Sequence, residues 1–517
     1  MLLDELAAVS RRTAHETRRR LKIAALADCL RRLAPDEIEA GVAFLSGELR
    51  QPKLGVGPAA VIGARPGSVA AQPALTVKQV DEALDRIAQV SGRGAIEQRK
   101  HSLSQLLERA TAAEQEFLIH LLLGELRQGA LAGLMVEAIA AAAQVSAASV
   151  RRATMLAGRL GPVAHAALGE GAAALGRFSL TLFQPVLPML ATPAQDMDDA
   201  LAQLGEAALE WKLDGARVQV HKSADEVRVY TRGLNDVTAA VPEIVEAVDR
   251  SPARELILDG ESIALRPDGG PHPFQVTMRR FGRRLDVDAL RGELPLSVFF
   301  FDCLRCDRQD LLDQSAAARF AALAEAMPAA LLVPRVVTAD AATAHDFLRE
   351  AIARGHEGVM AKSLQSVYEA GSRGSAWLKI KQAHTLDLVV LAAEWGSGRR
   401  RGWLSNLHLG ARDPRSGEFV MLGKTFKGMT DEMLAWQTAK LKELEVGRDR
   451  WAVQVRPELV VEIAVNEIQA SSQYPGGMAL RFARVKRYRP DKRPEDADTI
   501  DAVRALFESQ AQPSRRK

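Results

Sequence analysis

The sequence predicts a multidomain protein: an all-α region over residues 1–190, a mixed α/β region over 191–384 and a small β-barrel over 385–509. Three observations predict it. A chain of 517 residues is longer than one hydrophobic core serves, so two to four domains are expected. Apolar residues recur at helical spacing in the first 190 positions and in short strand-like runs afterwards. Between the two regimes lies Phe178–Pro193 (FSLTLFQPVLPMLATP), whose three prolines and missing helical period mark a linker.

The first region is rich in Ala, Leu and Arg, with helical repeats such as Leu21, Ile23, Ala24, Leu26, Ala27 and Leu30, and again Phe117, Leu118, Leu121 and Leu122. GELRQ occurs at Gly47–Gln51 and at Gly124–Gln128, 77 positions apart. Glu37, Glu39, Leu45 and Leu54 match Glu114, Glu116, Leu122 and Leu131 at the same offset, so an internal pseudo-repeat of a helical unit is expected. Arg50 and Arg127 fall at equivalent places near a Gly or Pro break, where a guanidinium could reach a phosphate from a helix end.

In the middle region, strands are expected at Arg217–His221, Glu226–Thr231, Glu255–Leu258, Leu296–Leu304, Gly358–Ala361 and Trp377–Ile380. Helices are expected at Asp236–Asp249 and Gln314–Met327. From Leu386 the runs LDLVVLAAEW, NLHLGARD, EFVMLGK and LVVEIAVNEIQ, with one helix at Asp431–Leu444, fit a Greek-key barrel. Residues 510–517 are expected to be a disordered tail.

Hydrophobic content of 47% and charged content of 26% are those of a globular chain. No apolar run reaches the roughly 18 residues of a membrane span, and MLLDELAAVSRRTAHETRRR is not a signal peptide. Of the 3 cysteines, Cys303 and Cys306 form a CxxC without a second pair, which excludes a four-cysteine zinc site and fits a reducing compartment. The ten histidines show no ligand spacing. A cytoplasmic, monomeric protein that avoids membranes is therefore expected. The net charge of +3 announces no polyanionic partner, but the cations cluster. Arg279, Arg280, Arg283 and Arg284 form one group, Arg399–Arg401 a second and Arg481–Arg493 (RFARVKRYRPDKR) a third, as on a face that meets phosphate.

The chemistry is carried by an ordered series of short strings. The first is Glu210–Arg217 (EWKLDGAR), which closes an acidic and apolar run of helical character and puts Lys212 at a strand entry, two residues before an Asp-Gly turn signal. Lysine attacks at neutral pH only if its pKa of roughly 10.4 is depressed by about 3 units, which costs roughly 4 kcal/mol. The later strings are YTRGLND with Arg232, LDGES with Glu261, FFFDCL with Phe301, EGVMAK with Glu357 and Lys362, and SRGSAWLKIK with Arg373, Lys379 and Lys381. Lys379 and Lys381 share one face of a strand. Phe299 and Phe301 also share a face, so either ring could be the one presented.

The ordered set resembles the covalent nucleotidyltransferase superfamily of polynucleotide ligases and capping enzymes. It is most similar to ATP-dependent DNA ligases of the archaeal and replicative eukaryotic type, over nearly the whole chain. ELRQGAL, QPVLPMLATP and LRFARVKRYRPDK match family landmarks. The resemblance implies a helical DNA-binding domain, an adenylation (nucleotidyltransferase) domain and an oligonucleotide-binding (OB-fold) barrel. It implies that Lys212 attacks the α-phosphate of ATP to form a lysine–AMP, which passes to the 5′-phosphate of a nick in duplex DNA before a 3′-hydroxyl attacks. Such sealing serves replication, recombination or repair, on the nucleoid. Glu210, Arg217, Arg232, Glu261, Phe301, Arg373 and Lys379 match ATP contacts, Phe301 as the ring on adenine. Lys381, Arg489 and Lys492 match further phosphate contacts, the last two around Asp491 in an RxDK string. Glu261 and Glu357 match ligands of Mg²⁺ or Mn²⁺. Negative charge building on phosphate oxygens suits cations and hard carboxylate-held metal. Lys379, Lys381 and the metal are expected to depress the pKa of Lys212. Capping guanylyltransferases and RNA ligases share the lysine chemistry but fit the helical module and the LRFARV string less well, and an NAD-dependent ligase would need a cysteine set that this chain lacks. A dead nucleic-acid scaffold fits poorly with Lys212, Glu261, Glu357 and Lys379 all present.

Overall fold

In the computed structural model the described residues are 1–517 save 52, 127–131, 282–286, 371–373, 382–383, 450 and 512–517. Up to Leu175 every regular element apart from a bridge is a helix, and one apolar core runs from Leu3 to Leu175. The helices Leu3–His15, Arg19–Leu30 and Ile38–Ser46 are followed, after the short helix Pro58–Gly63, by Val77–Gln89, Ala95–Glu108 and Ala112–Leu122. The same local bonds recur 77 residues apart. Glu37 accepts from the Ala34 amide and Glu114 from the Thr111 amide, while Glu48 N bonds Ala43 O (2.9 Å) and Glu125 N bonds His120 O (2.8 Å). Gly47 and Gly124 both turn the chain with positive φ, +76° and +68°, as a helix C-terminus of this kind requires.

Arg50 does not reach outward for phosphate. Its guanidinium is held by Asp81 (2.9 Å) and Asp85, which Gln51 also bonds. Arg127 lies outside the described residues, as do Gln128 and Leu131 of the repeat. Of the first cationic group, Arg283 and Arg284 also lie outside them, and Arg280 is buried against Glu243 (2.7 Å) because a desolvated guanidinium needs a carboxylate. Arg279 alone of that group is described as exposed.

The expected linker is a docked strap. Leu180, Val186 and Met189 are buried with Ile257, Leu304, Tyr368 and Trp377, and Gln219 bonds the Val186 backbone. Its last residues, Thr192–Pro193 (β1), pair parallel with a strand of the middle region. Proline removes amide donors without stopping apolar side chains from packing, so the helical period was lost while burial was kept.

Two five-stranded sheets follow. Besides β1, their strands are β2 (Ala207–Lys212), β3 (Ala216–Ser223), β4 (Glu226–Thr231), β5 (Glu255–Ala264), β6 (Leu296–Cys306), β7 (Gln309–Asp310), β8 (Arg335–Thr338), β9 (Gly358–Ser363) and β10 (Trp377–Lys381). One sheet has the order β1-β10-β9-β2-β8 and the other β4-β3-β5-β6-β7. The run before Lys212 is strand, not helix, and Lys212 ends β2 rather than opening a strand. AALE is buried on both faces, so its apolar character carries no period that separates strand from helix. The helix expected at Asp236–Asp249 begins at Pro242, after a 3₁₀ turn at Thr238–Ala240, and Ala341–Ala353 is a further helix. Ala207, Leu209, Val359, Ala361, Leu378 and Ile380 form the apolar back of the first sheet under Met197, Ala344 and Ala351. Val218, Val220, Leu258 and Phe300 do the same for the second.

The C-terminal region is β-rich: β11 (His384–Trp395), β12 (Leu404–Arg412), β13 (Phe419–Thr425), β14 (Glu445–Arg448), β15 (Ala452–Val455), β16 (Val460–Val465), β17 (Glu467–Ala470), β18 (Met478–Arg481) and β19 (Arg484–Tyr488). β11 is the hub. Its first half pairs with β16 and its second half with β15, with β12 along its other edge, so the strands wrap one core capped by the helix Asp431–Glu443. A last helix, Ile500–Ala511, includes two residues of the expected tail, whose remainder lies outside the described residues. Among the described residues no helix is long and apolar enough to cross a membrane.

Candidate active site

Strand alternation builds the site. Glu210 and Lys212 on β2 share a face with Met360 and Lys362 on β9 and with Trp377, Lys379 and Lys381 on β10, as their register shows. Arg217 on β3, opposite Glu261 on β5, and Phe301 on β6 come from the second sheet. The two polar faces enclose a cavity of about 560 Å³ lined by all ten of these residues, together with Glu357, Asp214 and Arg232. Arg232 stands exposed at the rim, in the turn after β4. Phe301, not Phe299, lines the cavity, while Phe299 packs against Leu213 and Ile263.

Two glycines make the approach possible. A Cβ on Gly215 would collide with Ile263 and the Ser262 carbonyl, so the turn after Lys212 runs hard against β5. Gly358, with φ of +144°, lies opposite Lys212 and directly against the Ile380 carbonyl. The Glu357 amide donates to the Lys212 carbonyl (3.1 Å), which sets their side chains beside each other.

Lys212 Nζ forms an ion pair with one Glu357 oxygen, and Lys381 Nζ holds the other at 2.6 Å. Burial alone lowers the Lys212 pKa, but Glu357, Glu261 and Asp214 outweigh it and raise the pKa above the usual value. The protein's own charges therefore shift Lys212 opposite to the expected depression. The nearest charges are carboxylates, and Lys381 is committed to Glu357. Burial raises Glu357 in turn, but Lys212 and Lys381 hold it below the ordinary range. Burial pushes Glu261 up to about 7, against Lys212 and Arg217 and with Asp259 and Asp214 adding to it. Asp214 is pushed up to about 6 by burial and by Glu357.

These crowded carboxylates fit a divalent cation. Burial and mutual repulsion raise Glu261 and Asp214, and Mg²⁺ takes one or two carboxylates plus substrate phosphate oxygens. No cluster of three His, Cys, Asp or Glu side chains with metal-binding geometry occurs among the described residues, so Glu261 and Glu357 would hold such an ion only together with substrate.

The Phe301 end of the cavity is cationic and aromatic. Arg217 is fixed by Asp259 (2.9 and 2.6 Å) and the Met189 carbonyl (2.6 Å), with its guanidinium carbon 5.4 Å from the centre of the Phe301 ring. Tyr368 donates to Asp259 (2.8 Å), completing that support. Glu210 is only 2% exposed and bonds Arg335 (2.8 and 2.5 Å) and Lys362 (2.6 Å).

Of the sequence-predicted residues, Arg489 and Lys492 are not brought to the cavity. Both are held by Asp387 at the start of β11, at 3.0 and 2.6 Å, and Arg489 also bonds Asp491 (2.7 Å). From the barrel it is Arg481 and Phe482 that line the cavity instead. Arg373 lies outside the described residues. Sequence reading assigned no role in the site to Lys362, Trp377, Asp214 and Arg335. The first two carried a signal, since Lys362 was already named beside Glu357 and Trp377 lies at even steps from Lys379 and Lys381. Arg335 stands alone in RVVT and carried none.

Comparison with known proteins matches residues 61–140 to the family described as DNA ligase N terminus, 188–381 to ATP dependent DNA ligase domain and 400–492 to ATP dependent DNA ligase C terminal region. A protein of Anaeromyxobacter sp. (strain Fw109-5) named Probable DNA ligase is 62% identical over the full length of both chains. One of Mycobacterium marinum with the same name is 56% identical over 98% of this chain and 100% of its own. A solved structure described as Pmar-Lig_PreS3 aligns with a TM-score of 0.58 at 17% identity, over 94% of this chain and 99% of its own, and so shares the fold. With its three matched regions in order and a relative this similar end to end, the chain belongs to the ATP-dependent DNA ligase family.

Proposed function

We propose that the protein seals nicks in duplex DNA in three steps, with Lys212 as the nucleophile. The observation that carries this reading is the placement of Lys212 Nζ in a cavity walled by Phe301 and by Arg217, Lys379 and Lys381, a ring for a base and cations for a triphosphate. After losing its proton, the Lys212 amine attacks the α-phosphorus of ATP. An N–P bond forms, and the bond to the β-phosphate oxygen breaks to release pyrophosphate. A 5′-phosphate oxygen of the nick then bonds to the AMP phosphorus as its bond to Lys212 breaks, and the 3′-hydroxyl, losing its proton, attacks the phosphorus of that 5′-phosphate to expel AMP and leave a phosphodiester.

Each side chain has a task in this scheme. Phe301 stacks on adenine, Glu210 lies at its edge, and Arg217, Arg232 and Arg373 hold ribose or phosphate. Lys379 and Lys381 neutralise the charge growing on the phosphate oxygens. A Mg²⁺ or Mn²⁺ ion held by Glu261 and Glu357 would neutralise further phosphate charge. Arg489 and Lys492 reach the departing pyrophosphate only when the barrel loop that carries them leaves its present place. Binding of ATP also takes Glu357 away from Lys212, which removes the main cause of the raised pKa.

The test is sealing of a labelled nicked duplex with ATP, GTP or NAD as the only nucleotide. Ligated product with ATP alone is expected, with binding that weakens steeply as salt rises because phosphate contacts release counterions. Sealing with NAD and not ATP, or a flat salt response, would contradict the reading.

A further inference from the structure

We propose that Lys362 sets the base specificity of the cavity by fixing the Glu210 carboxylate as a hydrogen-bond acceptor for the exocyclic amino group of a 6-aminopurine. The inference rests on the reading above, that the cavity takes a nucleotide with its base against Phe301.

Glu210 and Lys362 are 2% and 1% exposed, yet both line the cavity. The Lys362 ammonium lies 2.6 Å from one Glu210 oxygen, and Arg335 bonds the other at 2.8 Å. One carboxylate thus faces a buried cation and a half-buried one. Arg335 also donates to the Phe301 carbonyl (3.1 Å), which ties the acceptor to the strand bearing the ring. Lys362 Nζ sits 4.4 Å from the centre of the Phe301 ring and 4.2 Å from that of Trp377, so the aromatic walls confine it.

Apolar side chains would fill this volume at lower desolvation cost than a buried ion pair, so stability alone does not account for Lys362. What the ammonium supplies is a second hold on the carboxylate, so that it cannot turn. Pinned by a cation on each oxygen, the carboxylate presents acceptors to the cavity. Adenine offers a donor at position 6, whereas guanine and hypoxanthine offer a second acceptor, which the carboxylate repels. Burial pulls the Lys362 pKa down despite the attraction of Glu210 and Asp302. Lys362 is therefore a positioning residue that acts through Glu210.

The test is self-adenylation of the full chain with ATP, inosine triphosphate and purine riboside triphosphate, which lacks the 6-amino group. Wild type is expected to favour ATP over both analogues by at least roughly tenfold in kcat/KM. Lys362→Met should bring ATP and purine riboside triphosphate within about threefold of each other, with the loss in KM rather than kcat, and Lys362→Arg should restore most of the preference. If Lys362→Met slows all three nucleotides by one common factor, Lys362 is structural and the proposal is overturned. Should that variant not fold, Glu210→Gln decides. Its neutral amide should lose the preference for ATP over inosine triphosphate, and an unchanged preference overturns the proposal. Wild type that takes no label from any of the three would instead overturn the nucleotide reading of the cavity.

Discussion

Replacing Glu357 with glutamine should make Lys212 more acidic, because Glu357 is the charge that holds the ammonium in place. The two side chains form an ion pair and are each less than a quarter exposed, at 21% and 24%. An opposite charge in contact at such depth shifts a pKa by about 1–3 units, which is roughly 1.4–4 kcal/mol. Burial then acts with less opposition, and only Glu261 and Asp214 still hold the charge. The Lys212 pKa, raised in the native site, should fall by about 1–3 units in Glu357→Gln. Competitive acetylation of the nucleotide-free protein across alkaline pH, followed by mass spectrometry of the Lys212 peptide, reads it directly. The sign also fixes a stability window. A raised lysine pKa contributes stability that is complete below the unfolded value and is lost as pH rises through the folded one, so the native protein should lose stability there and the variant should lose less. A Lys212 pKa that stays the same or rises in Glu357→Gln would refute the reasoning.

Two further outcomes follow from the same geometry. Because Glu261 is pushed up to about 7, a divalent cation must displace a proton from it. The Mg²⁺ concentration for half-maximal self-adenylation should therefore rise as pH falls from 8 to about 6, and Glu261→Gln should flatten that slope. A wild-type requirement independent of pH would contradict the assignment. Met189→Ala should cost about 2–5 kcal/mol in a denaturant melt, because Met189 is 4% exposed inside the strap's core. A free linker would cost nothing.

The strands were legible where the pattern had a period. Glu226–Thr231 stands at its expected bounds, and β10 runs one residue past its own. Legibility failed where burial erased the period. AALE is buried on both faces and reads equally as helix, and the proline-rich strap hides a packed segment behind the grammar of a loop. The site was legible as residue types in order, since Lys212, Arg217, Glu261, Phe301, Glu357, Lys379 and Lys381 do line one cavity. Its electrostatics were not. Which cation neutralises which carboxylate depends on register between distant strands, so the sequence could not show that Lys381 belongs to Glu357 or that Lys362 belongs to Glu210. Arg280 and Arg50 teach the same lesson for charge runs, because each is consumed by a carboxylate brought from elsewhere in the chain.

The central claim, that the Lys212 amine takes the adenylyl group, is tested most directly by incubating the full chain with α-labelled ATP and Mg²⁺ and mapping the label. The account predicts one AMP per chain on the Lys212 peptide, released by acid and stable in base as a phosphoramide is, and absent in Lys212→Arg. Label that persists in that variant, or that maps to another side chain, would contradict it.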